Sequence, residues 1–427
     1  MIFSLALLLL QADWSSWRGP FENGMARGEA PVTWSDSENV AWKTNIPGRG
    51  HSSPVVYGDL VFLTTAIPEG ELSTPVGGGG GARRGGPGGG FAANVPHRFV
   101  VMCLNRKDGK VVWEREATKA TPHEGYHFRY GSFASNSPVT DGKHVYAFFG
   151  SRGLYVYTMD GKPAWQKTFS PMKMRLAFGE GTAPVLHENT VLLGFDQEEG
   201  SYLLALDKTT GKQLWKVDRD EPSAWAQPLV LTHEGVKQIV VAASNKVRSY
   251  EFATGKLIWE CAGLGTNVIP APVTAKGIVY VMSGHRDPNL LALRLGRKGD
   301  LTGSDAIVWQ NKRANSYTPS PVLVNDRLYF VSDNGFLSCL NAATGAVLFQ
   351  ERLPKPYNFK ASLVGANGKL YLSTEEGDVL VYKLGDQMEL LATNSMKDEV
   401  FIASPAIVAG DLYLRSQRAV YCIRTKK

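Results

Sequence analysis

Val112-Trp113-Glu114, Ala164-Trp165-Gln166, Leu214-Trp215-Lys216, Ile258-Trp259-Glu260, Val308-Trp309-Gln310 and Leu348-Phe349-Gln350 are six copies of one strand. A seventh, degenerate copy reads Glu389-Leu390-Leu391. Each closes a repeat of about forty residues with four strand signals, the period of a propeller blade. The last repeat, Ala403 to Lys427, stops one strand short, and the missing strand stands near the other end as Val40-Ala41-Trp42-Lys43. An array whose final unit borrows a strand from its beginning is a closed ring. The fold expected is all-β: an eight-bladed β-propeller with an N-terminal strand closing the last blade.

The other strands repeat with equal regularity. The first reads small-Pro-Val, as in Ser53-Pro54-Val55, Ser137-Pro138-Val139 and Ser320-Pro321-Val322. Proline lacks an N–H and belongs at the start of a strand or on an edge, so this strand lines the central channel. The second alternates apolar residues, as in Val279-Tyr280-Val281. The third holds a small residue: Cys103, Cys339 and Cys422 in three repeats, and Thr158, Ala205, Ser249, Ala292 and Val381 in others. Tight turns such as Asp108-Gly109-Lys110, Asp160-Gly161-Lys162 and Thr210-Gly211-Lys212 lead to the outermost Trp strand, whose ring is expected to cover the seam with the next blade. Cysteines at equivalent places on different blades do not meet, so the four, Cys261 included, are expected as buried free thiols.

Outside the ring lie three segments. Residues 1–12 are an apolar run fitting the h-region of a signal peptide, although no Lys or Arg precedes it. This places the mature chain in the periplasm or outside the cell, with no transmembrane segment. Residues 13–38 form an N-terminal arm carrying Trp17-Arg18-Gly19-Pro20, expected to pack its Trp rings on the outside of the ring. A Gly-rich insertion at about 70–95, within blade one of the propeller (39–427), is expected to be disordered, because it buries too little apolar surface to offset ordering.

Composition narrows the function. The 427 residues are 43% hydrophobic, and Lys plus Arg number 46 against 40 for Asp plus Glu. The basic residues are dispersed, with no stripe or run, which argues against nucleic acid. Turns between strands one and two, and three and four, are minimal apart from Arg294–Asp305, and share one face. The two–three loops and the blade connectors share the other and are richer in His, Arg, Asp and Trp. Binding belongs on that loop-rich face.

Candidate residues follow from it. His123-Glu124-Gly125-Tyr126-His127 matches the H-E-x-x-H zinc pattern. Gly125 and a preceding Pro122 in an all-β setting remove the helix that chemistry requires, and no metal is expected. His123, His127 and Arg129 remain candidates for a binding surface. Asp196 belongs to an acidic loop, Asp196-Gln197-Glu198-Glu199, without calcium-loop spacing. Arg219, Asp220, Glu221 and Trp225 join blades three and four. With Arg175 they can place an Arg, carboxylates and an indole at the channel mouth, or serve as a connector salt bridge. No Ser-His-Asp set and no nucleophile elbow can be drawn.

The repeat best seen from Ala183 to Trp215 (small-Pro-Val, then Ala-Leu-Asp-x-x-Thr-Gly-Lys-x-x-Trp) resembles the pyrroloquinoline-quinone-like, or BamB-like, propeller repeat from Val40 to Lys427. The resemblance implies one of two functions. One is a non-catalytic scaffold of the cell envelope, monomeric and without cofactor, engaging a protein or polysaccharide. The alternative is a dehydrogenase dependent on pyrroloquinoline quinone (PQQ) and calcium, with a diverged site. The chain has no adjacent Cys-Cys pair and no Cys-x-x-Cys-His like those dehydrogenases, and no lipobox cysteine like the envelope scaffolds. The non-catalytic reading is preferred.

Overall fold

A computed structural model describes residues 13–71, 90–91 and 95–425. The signal-like residues 1–12 and most of the Gly-rich insertion fall outside that range. At the insertion's end, Gly90–Phe91 pairs antiparallel with Tyr126–His127. No helix among the described residues is long and apolar enough to cross a membrane.

Eight antiparallel sheets surround a central channel. Blade one comprises Val55–Tyr57, Leu60–Pro68, His97–Asn105 and Val111–Ala120. The following six blades repeat that order. Blade eight takes Ala406–Val408, Asp411–Arg415 and Ala419–Ile423 from the C-terminal end and Val40–Asn45 from the N-terminal end. Trp42 lies opposite Cys422 and Lys43 opposite Tyr421. The ring therefore closes as the sequence indicates.

Two girdles join neighbouring blades. The outer one is built by the Trp strands. The indole N–H of Trp113 donates to the Met159 carbonyl of the next blade at 2.9 Å, that of Trp165 to Lys208 at 3.0 Å, and that of Trp215 to Phe252 at 3.1 Å. Trp309 does the same to Ala342, and Trp42 to Arg106, both at 2.9 Å. Each ring lies against the glycine of the next blade's three–four turn. A Cβ on Gly211 would stand 2.6 Å from the Trp165 ring, and one on Gly109 2.5 Å from that of Trp42. Glycine is also required by the positive φ of these turns, +71° at Gly211. One residue type thus meets two demands.

The small residue on strand three is the cross-strand partner of that indole. Cys103 faces Trp113, Ala205 faces Trp215, Ser249 faces Trp259 and Ala292 faces Trp309. In blade two the partner of Trp165 is Val156, not Thr158, which lies beyond a register shift in the ladder. The four cysteines are buried and unbridged.

The inner girdle explains small-Pro-Val. The Ser53 amide donates to Ser137 Oγ, Ser404 to Ser53, Ser362 to Ser404, Ser320 to Ser362 and Ala271 to Ser320, all at 2.8–3.0 Å. A serine at the small position thus supplies the acceptor that the preceding blade's buried N–H needs. Ala183, Gln227 and Ala271 offer no hydroxyl, which interrupts this chain between blades two and five.

The arm departs from expectation. Trp34 does sit at the rim, where its amide donates to Asn394 Oδ1 on the outer strand of blade seven at 2.7 Å. Trp14 and Trp17 instead enter the channel. Trp14 exchanges backbone hydrogen bonds with Val56 of the innermost strand of blade one, and Trp17 donates its indole N–H to Ser404 Oγ at 3.1 Å. Arg18 is buried and donates to the Leu363 and Pro321 carbonyls of blades seven and six at 3.1 and 2.6 Å. Met25–Ala26 then adds to the inner edge of blade seven. Burial lowers the Arg18 pKa to about 9. Arg415 shares that fate, lowered to about 9, with carbonyls of Ser52 and Thr64 as acceptors. The inner strands leave eight edges around a hole, and the arm bonds to those of blades one, two, six, seven and eight from the minimal-turn side.

The joint yields a differential expectation. Gly211→Ala and Gly368→Ala both place a side chain at positive φ, but only Gly211 meets an indole; Gly368 faces nothing within 4 Å. Gly368→Ala should cost about 1 kcal/mol, and Gly211→Ala about 1–3 kcal/mol more. Urea unfolding of the two variants beside wild type measures the difference, which vanishes if the indole contact is unimportant.

Candidate functional site

With its lower end floored by the arm, the channel becomes a cup of about 510 Å³ that opens on the loop-rich face. Trp17 lies at the bottom, and Ser53, Ser137, Ser362 and Ser404 of the inner girdle form its lower wall. The connector after blade one crosses the mouth. His51 and Ser52 amides both bond the Ala134 carbonyl, Arg129 Nε reaches Glu375 of blade seven at 3.0 Å, and Lys360 lies over the Tyr130 ring at 4.7 Å. His127 stacks on Tyr130 with ring centres 3.7 Å apart. The mouth is thereby narrowed by one stacked, ion-paired strap.

Of the candidates read from sequence, His127, Arg175 and Trp225 line the cup. Trp225 is fixed there by its indole N–H on the Gly179 carbonyl at 2.8 Å. Arg129 stands outside the lining, in its ion pair with Glu375. His123 is turned toward the outer part of the face, with Nε2 2.5 Å from the Met172 carbonyl and Nδ1 beside Arg152. The two histidines of the H-E-x-x-H match therefore diverge. The described residues include no group of three or more His, Cys, Asp or Glu able to hold a metal ion.

The reading that brings Arg219, Asp220 and Glu221 to the mouth with Arg175 is corrected. Arg219 is buried and holds Asp196 by two bonds of 2.7 and 3.0 Å while donating to Tyr250 Oη at 2.6 Å. Glu221 is buried beneath, accepting from the Asn245 and Lys246 amides and pairing with Arg248 at 2.5 Å. Burial raises its pKa. Asp220 is exposed and pairs with the same Arg248 at 2.6 Å. This set is the joint between blades three and four, where the inner girdle has no serine. The connector salt bridge is the arrangement found.

Sequence reasoning missed His51, His285, Arg286, Tyr317 and Lys360, all in the lining. His51 donates its Nδ1–H to the Tyr130 carbonyl at 3.0 Å, while its buried Nε2 has no hydrogen-bond partner. Burial, with Arg49 and Arg415 nearby, lowers its pKa to about 3. Burial, with Lys360, Arg129 and Arg49 nearby, lowers that of His127 to about 4. His285 stacks on Tyr317 at 5.1 Å between centres, and burial together with Arg286 and Arg175 lowers its pKa. The imidazoles are thus neutral at pH 7, and the charge at the mouth belongs to guanidinium and ammonium groups. The signal available in sequence was position. Most of these residues fall just before a small-Pro pair or in a two–three loop, which the topology aims at the channel.

Two measurements check this electrostatic account. The depressed His51 pKa means that the unfolded chain binds a proton below pH 6.5 that the folded chain refuses until about pH 3. Stability is therefore lost as pH falls through that window. His51→Gln should show a smaller drop in thermal midpoint between pH 7 and pH 4 than wild type, and an equal drop removes the assignment. Asp196→Ala leaves Arg219 buried without its carboxylate and should cost about 3–5 kcal/mol in urea unfolding.

The comparisons agree with this architecture. The profile described as outer membrane protein assembly factor BamB matches residues 97–298 and 297–387. The outer membrane protein assembly factor BamB of Yersinia pestis is 24% identical over 347 residues, covering 77% of this chain and 79% of that protein. Among solved structures, BamB from Moraxella catarrhalis superposes with a TM-score of 0.58 at 12% identity, over 90% of this chain and 97% of that one. The quinohemoprotein alcohol dehydrogenase from Comamonas testosteroni gives 0.65 at 11% identity, over 97% and 81%. At such identities the structural likeness establishes the fold alone. The repeats, the eight closed blades and the profile match together make the chain a member of the BamB-like, PQQ-like repeat family of propellers.

Proposed function

We propose that the protein is an exported, non-catalytic scaffold of the cell envelope that seats a protein partner over its loop-rich face. The observation that carries the reading is the asymmetry of the channel. The chain's own arm fills the minimal-turn end, so the cup is approached from the loop-rich side, where the strap and the long connectors lie. A surface of connectors held over rigid sheets suits recognition with little ordering cost. The family membership supports the same direction, since relatives of this chain carry the name of outer membrane protein assembly factors. That name also supports a periplasmic location beside the outer membrane. A polysaccharide is the less favoured occupant, because Tyr130 and Tyr317 of the cup are stacked on histidines rather than lying open as platforms.

The dehydrogenase alternative rests on the enclosed cup with an indole at its base. Its residues do not fit a calcium-bound quinone. Glu180, the one carboxylate in the lining, spends both oxygens on Ser151, accepting from its amide at 2.5 Å and its hydroxyl at 2.6 Å. No reaction step is assigned.

A photo-cross-linking residue placed at Leu176 on the loop-rich face should yield a discrete protein adduct in envelope extract, and the same residue at Lys107 on the minimal-turn face should not. Equal labelling at both positions overturns the face assignment. Stoichiometric PQQ uptake with calcium, followed by dye reduction with an alcohol, overturns the scaffold reading.

A further inference from the structure

The cup is not electrostatically neutral at its mouth, and the imbalance is confined to two residues. Arg175 and Arg286 both line it. They come from opposite sources, the connector after blade two and the two–three loop of blade five, and converge on His285. Among the described residues neither guanidinium has a hydrogen-bonded or ion-paired partner. The third cation of the lining is already satisfied, because Lys360 holds Asp333 at 2.5 Å and approaches Glu375 at 3.8 Å. Glu180 offers no compensation, since its carboxylate is held by Ser151. The histidines facing the cup contribute no charge at neutral pH.

Two further features adjoin this pair. Leu176, next to Arg175, is 59% exposed and held at φ +50°, with Ala177 at +51°. Consecutive non-glycine residues in the left-handed region cost about 1–2 kcal/mol each, so the surrounding structure imposes this turn and thrusts an apolar side chain into solvent at the rim. Phe128 of the strap is 42% exposed on the same face. Deeper in, His51 Nε2 and Asn267 Oδ1 are buried in the lining without partners. A buried polar atom without a partner is a standing cost that a ligand can remove.

We propose that the cup binds an acidic segment of a partner protein, with a carboxylate between Arg175 and Arg286 and a neighbouring apolar side chain on Leu176. The inference rests on the scaffold reading above and names the chemistry of the partner. Guanidinium groups recognise planar carboxylates through paired N–H donors, which a point charge does not reproduce. A polyanion such as a sulfated polysaccharide would call for a continuous basic stripe, and the neighbouring cations Arg129 and Lys360 are instead neutralised by Glu375 and Asp333. The site therefore has charge for one or two carboxylates and an apolar ledge beside them.

The test uses the full chain and fluorescein-labelled peptide pools, one with a fixed Glu-Leu-Glu core and one with Gln-Leu-Gln, read by anisotropy. The Glu pool should bind at least tenfold more tightly than the Gln pool, and its affinity should fall as salt rises. Arg175→Ala with Arg286→Ala should abolish that preference. Arg175→Lys with Arg286→Lys should restore it only in part, and Arg297→Ala on the opposite face should leave it intact. Thermal midpoints of all variants should match wild type, because none of these side chains is buried. Equal binding of both pools, or of neither, overturns the inference. So does tighter binding of dextran sulfate than of the Glu pool, or displacement of the Glu pool by PQQ. If the pools fail while the Leu176 cross-link still forms, the scaffold reading stands and the carboxylate chemistry falls. If both fail, the face itself is wrong.

Discussion

The fold depends on how one blade grips the next, and the grip is an indole laid on a glycine. A β-sheet has two faces, and in a propeller each must be covered by a neighbour that is itself only a four-stranded sheet. Side chains alone leave the outer end of that sandwich open to water. The Trp strand closes it by burying its ring against the next three–four turn and tying its N–H to a carbonyl in the same turn. Where the next blade lacks a suitable turn, the tryptophan changes its behaviour. Blade five replaces the tight turn by Arg294–Asp305, and Trp259 turns inward to Gln238 Oε1 at 3.2 Å. Blade eight has no three–four turn at all, and blade seven has no tryptophan to dock there. The arm covers that seam with Trp34 instead.

The same rule explains what the sequence could reveal. The Trp, the small residue opposite it and the Asp-Gly or Thr-Gly turn all answer to one local geometry, so they recur in print wherever that geometry recurs. Thr158 shows the limit of such reading: the three–four turn of blade two is closed by Thr158 and Lys162, one residue tighter than Asn105 to Lys110 in blade one, which moves the partner of Trp165 back to Val156. The arm was illegible for a different reason. Trp14 and Trp17 find their contacts in the channel, against blades one and eight, and no periodicity relates an unrepeated segment to the ring it enters. A tryptophan on the outside and one in the hole look alike in sequence.

The cup residues divide along similar lines. Arg219 and Glu221 were visible as a charged connector, but whether charge faces solvent or a buried partner is decided by Asp196, from another loop, and Arg248, from a strand of blade four. His285 and Arg286 carried no motif. Their place follows only from topology, which sends every two–three loop and every connector to one face. The general location of the site was therefore legible, and its membership was not. The physical reason is that the scaffold is repetitive and the loops are not.

One stretch of chain has two jobs at opposite radii. Residues Trp14 to Met25 stop up the hole, and Val40–Asn45, shortly downstream, completes the ring's last sheet. Trp17 and Ser404 are 387 positions apart. Contacts of such separation are the slowest to form in a growing fold, because the whole intervening loop must be ordered first. During synthesis the leading segment waits for the trailing one, and neither the contact of Trp17 with Ser404 nor the seam exists until the last blade is made. A truncated product would thus present an open arc of blades with bare inner edges. Full-length material acquires its stopper and its clasp in a single late step, so intactness of the chain is written into whether the cup has a bottom.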